Sequence, residues 1–145
     1  MAELTLPRLV LDTNVFISGL ISHAGAPARI LAAIHKRKAL HLVSDPIADE
    51  YLRVLSYPRI RKYRQVNDTF IADVATYILF RTERVELLST VDLSPDPDDN
   101  VFLATALDGK ADCVISGDKT HLLSLRAVER IPIITAGEAL IKFGM

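Results

Sequence analysis

The chain has 145 residues, 50 % of them hydrophobic and 24 % charged, which excludes a disordered or fibrous polypeptide and suits one domain spanning 1–145. Seventeen basic and 18 acidic residues leave a formal charge of −1. That balance excludes nucleic-acid binding by bulk positive charge, but not by a local basic patch. The single cysteine, Cys113, cannot form an internal disulfide, and a reducing cytoplasm is the simplest compartment. The start, Met1-Ala2-Glu3-Leu4, lacks the basic and apolar regions of a signal peptide. The longest uncharged run, Thr13 to Ala28, is too short and too polar to span a membrane, so a soluble protein is expected.

In chain order, Arg8 to Leu11 reads as a buried strand, and Asn14 to Ile21 as a helix. Gly25-Ala26-Pro27 opens a second helix, with Ile30, Leu31 and Ile34 on one face. Leu40 to Val43 is a second strand. Asp45-Pro46 starts a helix carrying Ile47, Ala48, Tyr51, Leu52 and Leu55 at helical spacing. Residues 58–65 begin a short basic helix. A longer one runs from Asn67 to Arg81, and Arg84 to Leu88 is the third strand. Asp98 to Leu107 is helical, Asp112 to Ser116 a strand, and Ile131 to Ile134 the last strand. Thr135 caps a closing helix, with Glu138 placed for a capping box. This alternation predicts an α/β fold, a mostly parallel sheet with helices on both faces and right-handed crossovers. Such sheets bind ligands beyond the carboxyl ends of their strands.

Acidic residues collect at those ends. Asp12 closes the first strand, Glu50 lies just after the second, and Asp118 follows Ser116-Gly117 after the fourth. Asp96-Pro97-Asp98-Asp99-Asn100 opens the intervening helix. Each has a plainer role open to it. Asp12 and Asp118 could cap helices, Glu50 could face solvent like its rival Asp49, and Asp98 and Asp99 would both favour a helix dipole. Asp99, however, shares a stripe with Phe102, Leu103 and Ala106, so it points toward the sheet. Clustered carboxylates need a proton or a cation among them. Hard oxygen donors without Cys or paired His suit Mg²⁺ or Mn²⁺ better than Zn²⁺.

A basic stretch, Arg53, Arg59, Arg61, Lys62 and Arg64, is interleaved with Tyr57 and Tyr63 and could contact a phosphate backbone and stack bases. A solvated face or the docking site of an acidic partner explains it equally well. Lys36-Arg37-Lys38 suits a helix C-terminus, His121 reads as a surface residue and Cys113 as core.

Four segments together resemble the PIN-domain family of metal-dependent nucleases, from Arg8 to about Ala139. They are Leu9 to Val15, Ser44 to Leu55, Asp96 to Asn100 with Phe102-Leu103-Ala104, and Ser116-Gly117-Asp118-Lys119. The resemblance implies a three-layer α/β/α fold around a central parallel five-stranded sheet. It implies catalytic Asp12, Glu50, Asp99 and Asp118, with Mg²⁺ or Mn²⁺ held by Asp12, Asp99 and Asp118, and Asn14 and Ser116 in support. Lys119 joins the candidate RNA contacts. The activity implied is endonucleolytic hydrolysis of single-stranded RNA. The chain most resembles VapC-like toxins of type II toxin–antitoxin pairs, which implies a homodimer and a cognate antitoxin.

Two other readings stand beside this one. A catalytically weak PIN-like module would bind RNA or a partner without cutting. A haloacid-dehalogenase-like phosphatase would use Asp12 as a nucleophile, but Asn14 stands where its second Asp belongs and Leu122 where a later one does. The near-neutral total conceals a segregation. Residues 92–118 hold seven acids against Lys110, and residues 53–64 hold five bases and no acid. Whether these two regions meet in space decides whether they can share a substrate.

Overall fold

The computed structural model describes residues 5–117 and 122–145. Its sheet has the order β3-β2-β1-β4-β6-β5. The five strands β3 (Glu83–Arg84), β2 (Leu40–Val43), β1 (Arg8–Leu11), β4 (Cys113–Ile115) and β6 (Ile131–Ile134) are mutually parallel. This is the predicted parallel array. The structure adds β5 (Ala127–Val128), a two-residue strand antiparallel to β6 at one edge. Arg126 and Glu129, which flank it, adopt left-handed φ values of 64° and 52° and turn the chain back sharply.

The helices are α1 (Thr13–Ile21), α2 (Ala26–His35), α3 (Asp45–Leu55), α4 (Pro58–Arg61), α5 (Asp68–Arg81), α6 (Pro97–Asp108), α7 (Leu122–Leu125) and α8 (Ala136–Phe143). The closing helix has the predicted capping box, Thr135 with Glu138. Asn67 caps α5 by accepting from the Phe70 amide at 2.9 Å. Asp96 caps α6 by accepting from the Asp98 amide at 3.0 Å. No single described helix is long and apolar enough to cross a membrane.

The third strand is shorter than its apolar run suggests. Val85 still donates to the Val43 carbonyl at 2.9 Å. Beyond it the Asp108 carboxylate accepts from the Leu88 and Ser89 amides at 2.7 and 2.9 Å, drawing the chain off the sheet toward α6. The Ser89 hydroxyl, together with those two amides, holds the Asp108 carboxyl below its usual range. Gly109 ends α6 where a Cβ would stand 2.8 Å from Val85 Cγ2 and 2.9 Å from the Thr105 carbonyl, so only glycine lets this corner close.

The core is one cluster of buried side chains running from Leu9 to Leu140. Strands β1 and β4 are apolar on both faces because helices cover both. Cys113 is fully buried, as expected of a core thiol. At the amino end of the sheet Arg8 ties several elements together. Its amide donates to Asp112 at 2.7 Å, and its guanidinium donates to the Gly109 carbonyl at 2.8 and 3.0 Å. The same guanidinium also pairs with Glu83.

Candidate active site

Strand β1 is buried to its last residue, so its exit delivers Asp12 to the carboxyl edge of the sheet with little exposure, 8 %. Asp12 is the N-cap of α1, and its Oδ1 accepts from the Thr13 amide at 2.8 Å. Its Oδ2 accepts from the Ser116 hydroxyl at 2.9 Å. Ser116 is fully buried at the end of β4, the neighbouring strand. Burial raises the Asp12 carboxyl from 3.8 to about 6. The hydrogen bonds from Ser116 and Thr13 oppose that rise, while the negative charges of Asp99 and Glu50 add to it.

Glu50 stands on α3, half-buried, and accepts a hydrogen bond from the Thr13 hydroxyl. Burial pushes its carboxyl up. Thr13 and Arg53 pull it down, and Asp98 and Asp96 push it further up. Its neighbour Asp49 faces solvent, which separates the two rivals. On α6, Asp99 is only 9 % exposed and accepts from the buried Ser94 hydroxyl at 2.9 Å, whereas Asp98 is exposed. Asn100 holds that turn: its Oδ1 accepts from the Leu93 and Ser94 amides at 3.1 and 2.9 Å.

Three segments far apart in sequence thus bring both Glu50 and Asp99 within electrostatic reach of Asp12. Asp118 and Lys119, like His121, lie outside the described residues. Among the described residues, no three His, Cys, Asp or Glu side chains form a complete metal site by themselves. The donors present are all hard oxygens (carboxylates supported by serine and threonine hydroxyls), the chemistry that fits Mg²⁺ or Mn²⁺. A carboxylate made more basic by burial, and further by two like charges, is a position where a cation gains most.

The basic segment meets this edge at two points. Arg53, on the last turn of α3, lies 3.9 Å from Glu50 and beside Tyr57, which raises its already high pKa. Arg53, Glu50 and Asp98 line a cavity of about 190 Å³ over Phe102. Asn14, exposed on the first turn of α1, lines a groove of about 290 Å³ with Arg59 and Tyr63. It also lines a second hollow with Gly117 at the end of β4. Arg59 stacks over Tyr57 at 5.6 Å and Lys62 over Tyr63 at 5.9 Å. Arg61 is turned away to Asp68, 2.7 Å distant, and Arg64 is exposed beyond it.

Two residues of this site were not singled out from the sequence: Thr13 and Ser94, each a hydroxyl donor to one acid. Thr13 lay within a recognised segment, but its partner is 37 positions away. Replacing Thr13 with Val keeps the side-chain shape and deletes that donor. The Glu50 carboxyl is then expected to titrate higher still, read by carbon NMR of its side chain. An unchanged titration would show that the hydroxyl does not stabilise the carboxylate.

A PIN-domain family profile matches residues 8–120. MJ1680, an uncharacterized protein of Methanocaldococcus jannaschii, is 35 % identical over 119 residues, covering 82 % of this chain and 75 % of that protein. The chain belongs to the PIN-domain family, a family of nucleases. That membership sets aside the phosphatase reading. A chain of the VapBC2 complex of Rickettsia felis, bound to a fragment of promoter DNA, shares the fold with a TM-score of 0.56 at 11 % identity. The likeness covers 87 % of this chain and 96 % of that one.

Proposed function

We propose that this chain is one PIN-like nuclease domain, spanning 1–145, that cuts single-stranded RNA internally with the help of Mg²⁺ or Mn²⁺. The observation that carries the reading is the convergence of buried Asp12, inward-facing Asp99 and Glu50 beyond the carboxyl ends of β1 and β2. Asp12, Asp99 and Asp118 hold the cation, and Ser116 and Asn14 support them. A bound Mg²⁺ or Mn²⁺ would polarise the phosphodiester and lower the pKa of a water molecule.

Glu50 orients the attacking water. Its raised pKa makes it a better proton acceptor than an ordinary carboxylate, and Thr13 fixes the carboxylate that receives the proton. A groove runs from Asn14, two residues after Asp12, to Arg59 and Tyr63 of the basic segment. There Arg59, Lys62 and Arg64 neutralise phosphates, and Tyr57 and Tyr63 offer faces for bases. Arg53 and Lys119 contact the backbone nearest the cut, and Arg61 joins them by releasing Asp68.

We further propose a cytoplasmic toxin of a toxin–antitoxin pair, acting as a homodimer and restrained by its antitoxin; the fold shared with a VapBC2 chain supports the antitoxin partner. The test is cleavage of a single-stranded RNA in Mn²⁺. Activity should vanish in excess chelator and return with added Mn²⁺. Cutting that persists in chelator would sink the metal-dependent reading. Binding without cutting would favour the non-catalytic module.

A further inference from the structure

Beneath the acidic edge lies a buried polar chain that the proposed chemistry does not touch. His41, on β2, is 1 % exposed and sits between two tyrosines. Its Nδ1 is 2.8 Å from the Tyr77 hydroxyl of α5, and its Nε2 is 3.1 Å from the Tyr51 hydroxyl of α3. The Tyr51 hydroxyl in turn lies 2.5 Å from the carbonyl oxygen of Leu11, the residue before Asp12. Phe16 of α1 covers the group, stacked on Tyr51 with ring centres 4.2 Å apart.

One end of this chain dictates all the proton positions. The Leu11 carbonyl can only accept, so the Tyr51 hydroxyl donates to it. The Tyr51 oxygen is then free to accept from His41, which places a proton on Nε2. Nδ1 is left as an acceptor, and Tyr77 donates to it. Every group is satisfied with His41 neutral. Burial, which lowers His41 to about 3, keeps it in that state.

The chain ends where the backbone leaves the sheet. On its other side β1 stays locked to β4 through the Asp12 amide, which donates to the Ile115 carbonyl at 2.9 Å. Toward β2 the registered partners are Arg8 with Leu40 and Leu9 with His41, so the Tyr51 hydroxyl holds β1 two residues beyond that ladder.

We propose that Tyr77, His41 and Tyr51 are positioning residues: their hydrogen-bond chain clamps the Leu11 carbonyl and so fixes the turn that aims the Asp12 carboxylate. The proposal rests on Asp12 being a cation ligand, and its test separates the two ideas. Long-range nitrogen NMR of the wild type should show His41 protonated at Nε2 only. Tyr77→Phe removes the donor to Nδ1, so the ring can change tautomer, and Tyr51 can donate to Nε2 in place of Leu11.

Both Tyr77→Phe and Tyr51→Phe should shift the amide signals of Asp12 and Thr13. Both should weaken Mn²⁺ binding about 10-fold or more, the scale seen when groups that orient metal ligands are lost. Equal losses of melting temperature with unchanged Asp12 and Thr13 signals would overturn the proposal and leave a purely structural cluster. So would a wild-type His41 protonated at Nδ1, a measurement that does not depend on either variant folding. If wild type binds no Mn²⁺ while the signals still shift, the cation reading fails and the positioning stands.

Discussion

Asp12→Asn should abolish RNA cleavage and, at neutral pH without metal, make the protein more stable. The loss of activity is expected to be roughly 10³-fold or more, because the amide cannot replace a charged ligand and its neighbours act as a unit with it. The gain follows from the raised carboxyl. The folded chain holds Asp12 at about 6 against an ordinary 3.8, so between those values it keeps a proton that the unfolded chain has released. Stability contributed by the protonated form is therefore complete below about pH 4 and is lost by about pH 6. A shift of about two units corresponds to about 3 kcal/mol at pH 7. Asn carries no charge to bury: its Oδ1 still accepts from the Thr13 amide, and its Nδ2 donates to the Ser116 hydroxyl oxygen, reversing that hydrogen bond. The variant should melt roughly 5–10 °C higher than its parent at pH 7 in chelator. The two curves should converge in acid. A variant that melts lower at every pH would show that Asp12 is not a strained anion in the metal-free fold.

Phe16→Ala should be strongly destabilising. Phe16 is fully buried and packs on Tyr51, with His41 and Tyr77 within 6 Å between ring centres. Truncation of such a side chain costs about 3–5 kcal/mol, from lost burial and the cavity left behind. That is a large part of the 5–15 kcal/mol typical of a whole domain. Urea denaturation should show the midpoint falling while the slope is kept. A loss below about 1 kcal/mol would mean that Tyr51 and Tyr77 close over the vacated space.

Most of the fold was legible because burial leaves a local signature. The runs at 8–11, 40–43 and 131–134 are apolar and bounded by turn residues, and the structure places strands at those limits. Orientation on a helix was legible too: Asp99 shares its stripe with Phe102 and Leu103 and is buried, whereas Asp98 is exposed. What escaped depended on distant partners. The third strand stops early because Asp108, some 20 positions on, captures its amides. The antiparallel β5 is two residues long, too short for any alternation to show. Thr13 finds Glu50, and His41 finds Tyr51 and Tyr77, only once β1, β2 and their helices are assembled. The meeting of acids and bases was likewise invisible in a net charge of −1, since Arg53 reaches Glu50 by one turn of α3 while Arg59 reaches Asn14 across a groove.

The Arg8 knot has a consequence for how this molecule can be altered. It binds β3, the end of α6 and the approach to β4 at one pole of the sheet, while the clustered carboxylates load the opposite pole. Arg8 is held by Asp112, Gly109 and Glu83, and the acids by Thr13, Ser116, Ser94 and Arg53, so energetic changes made at one pole should sum with changes made at the other. A protein arranged this way tolerates electrostatic frustration at its working end because its anchorage is elsewhere, and strengthening that anchorage would offset substitutions made at the acids.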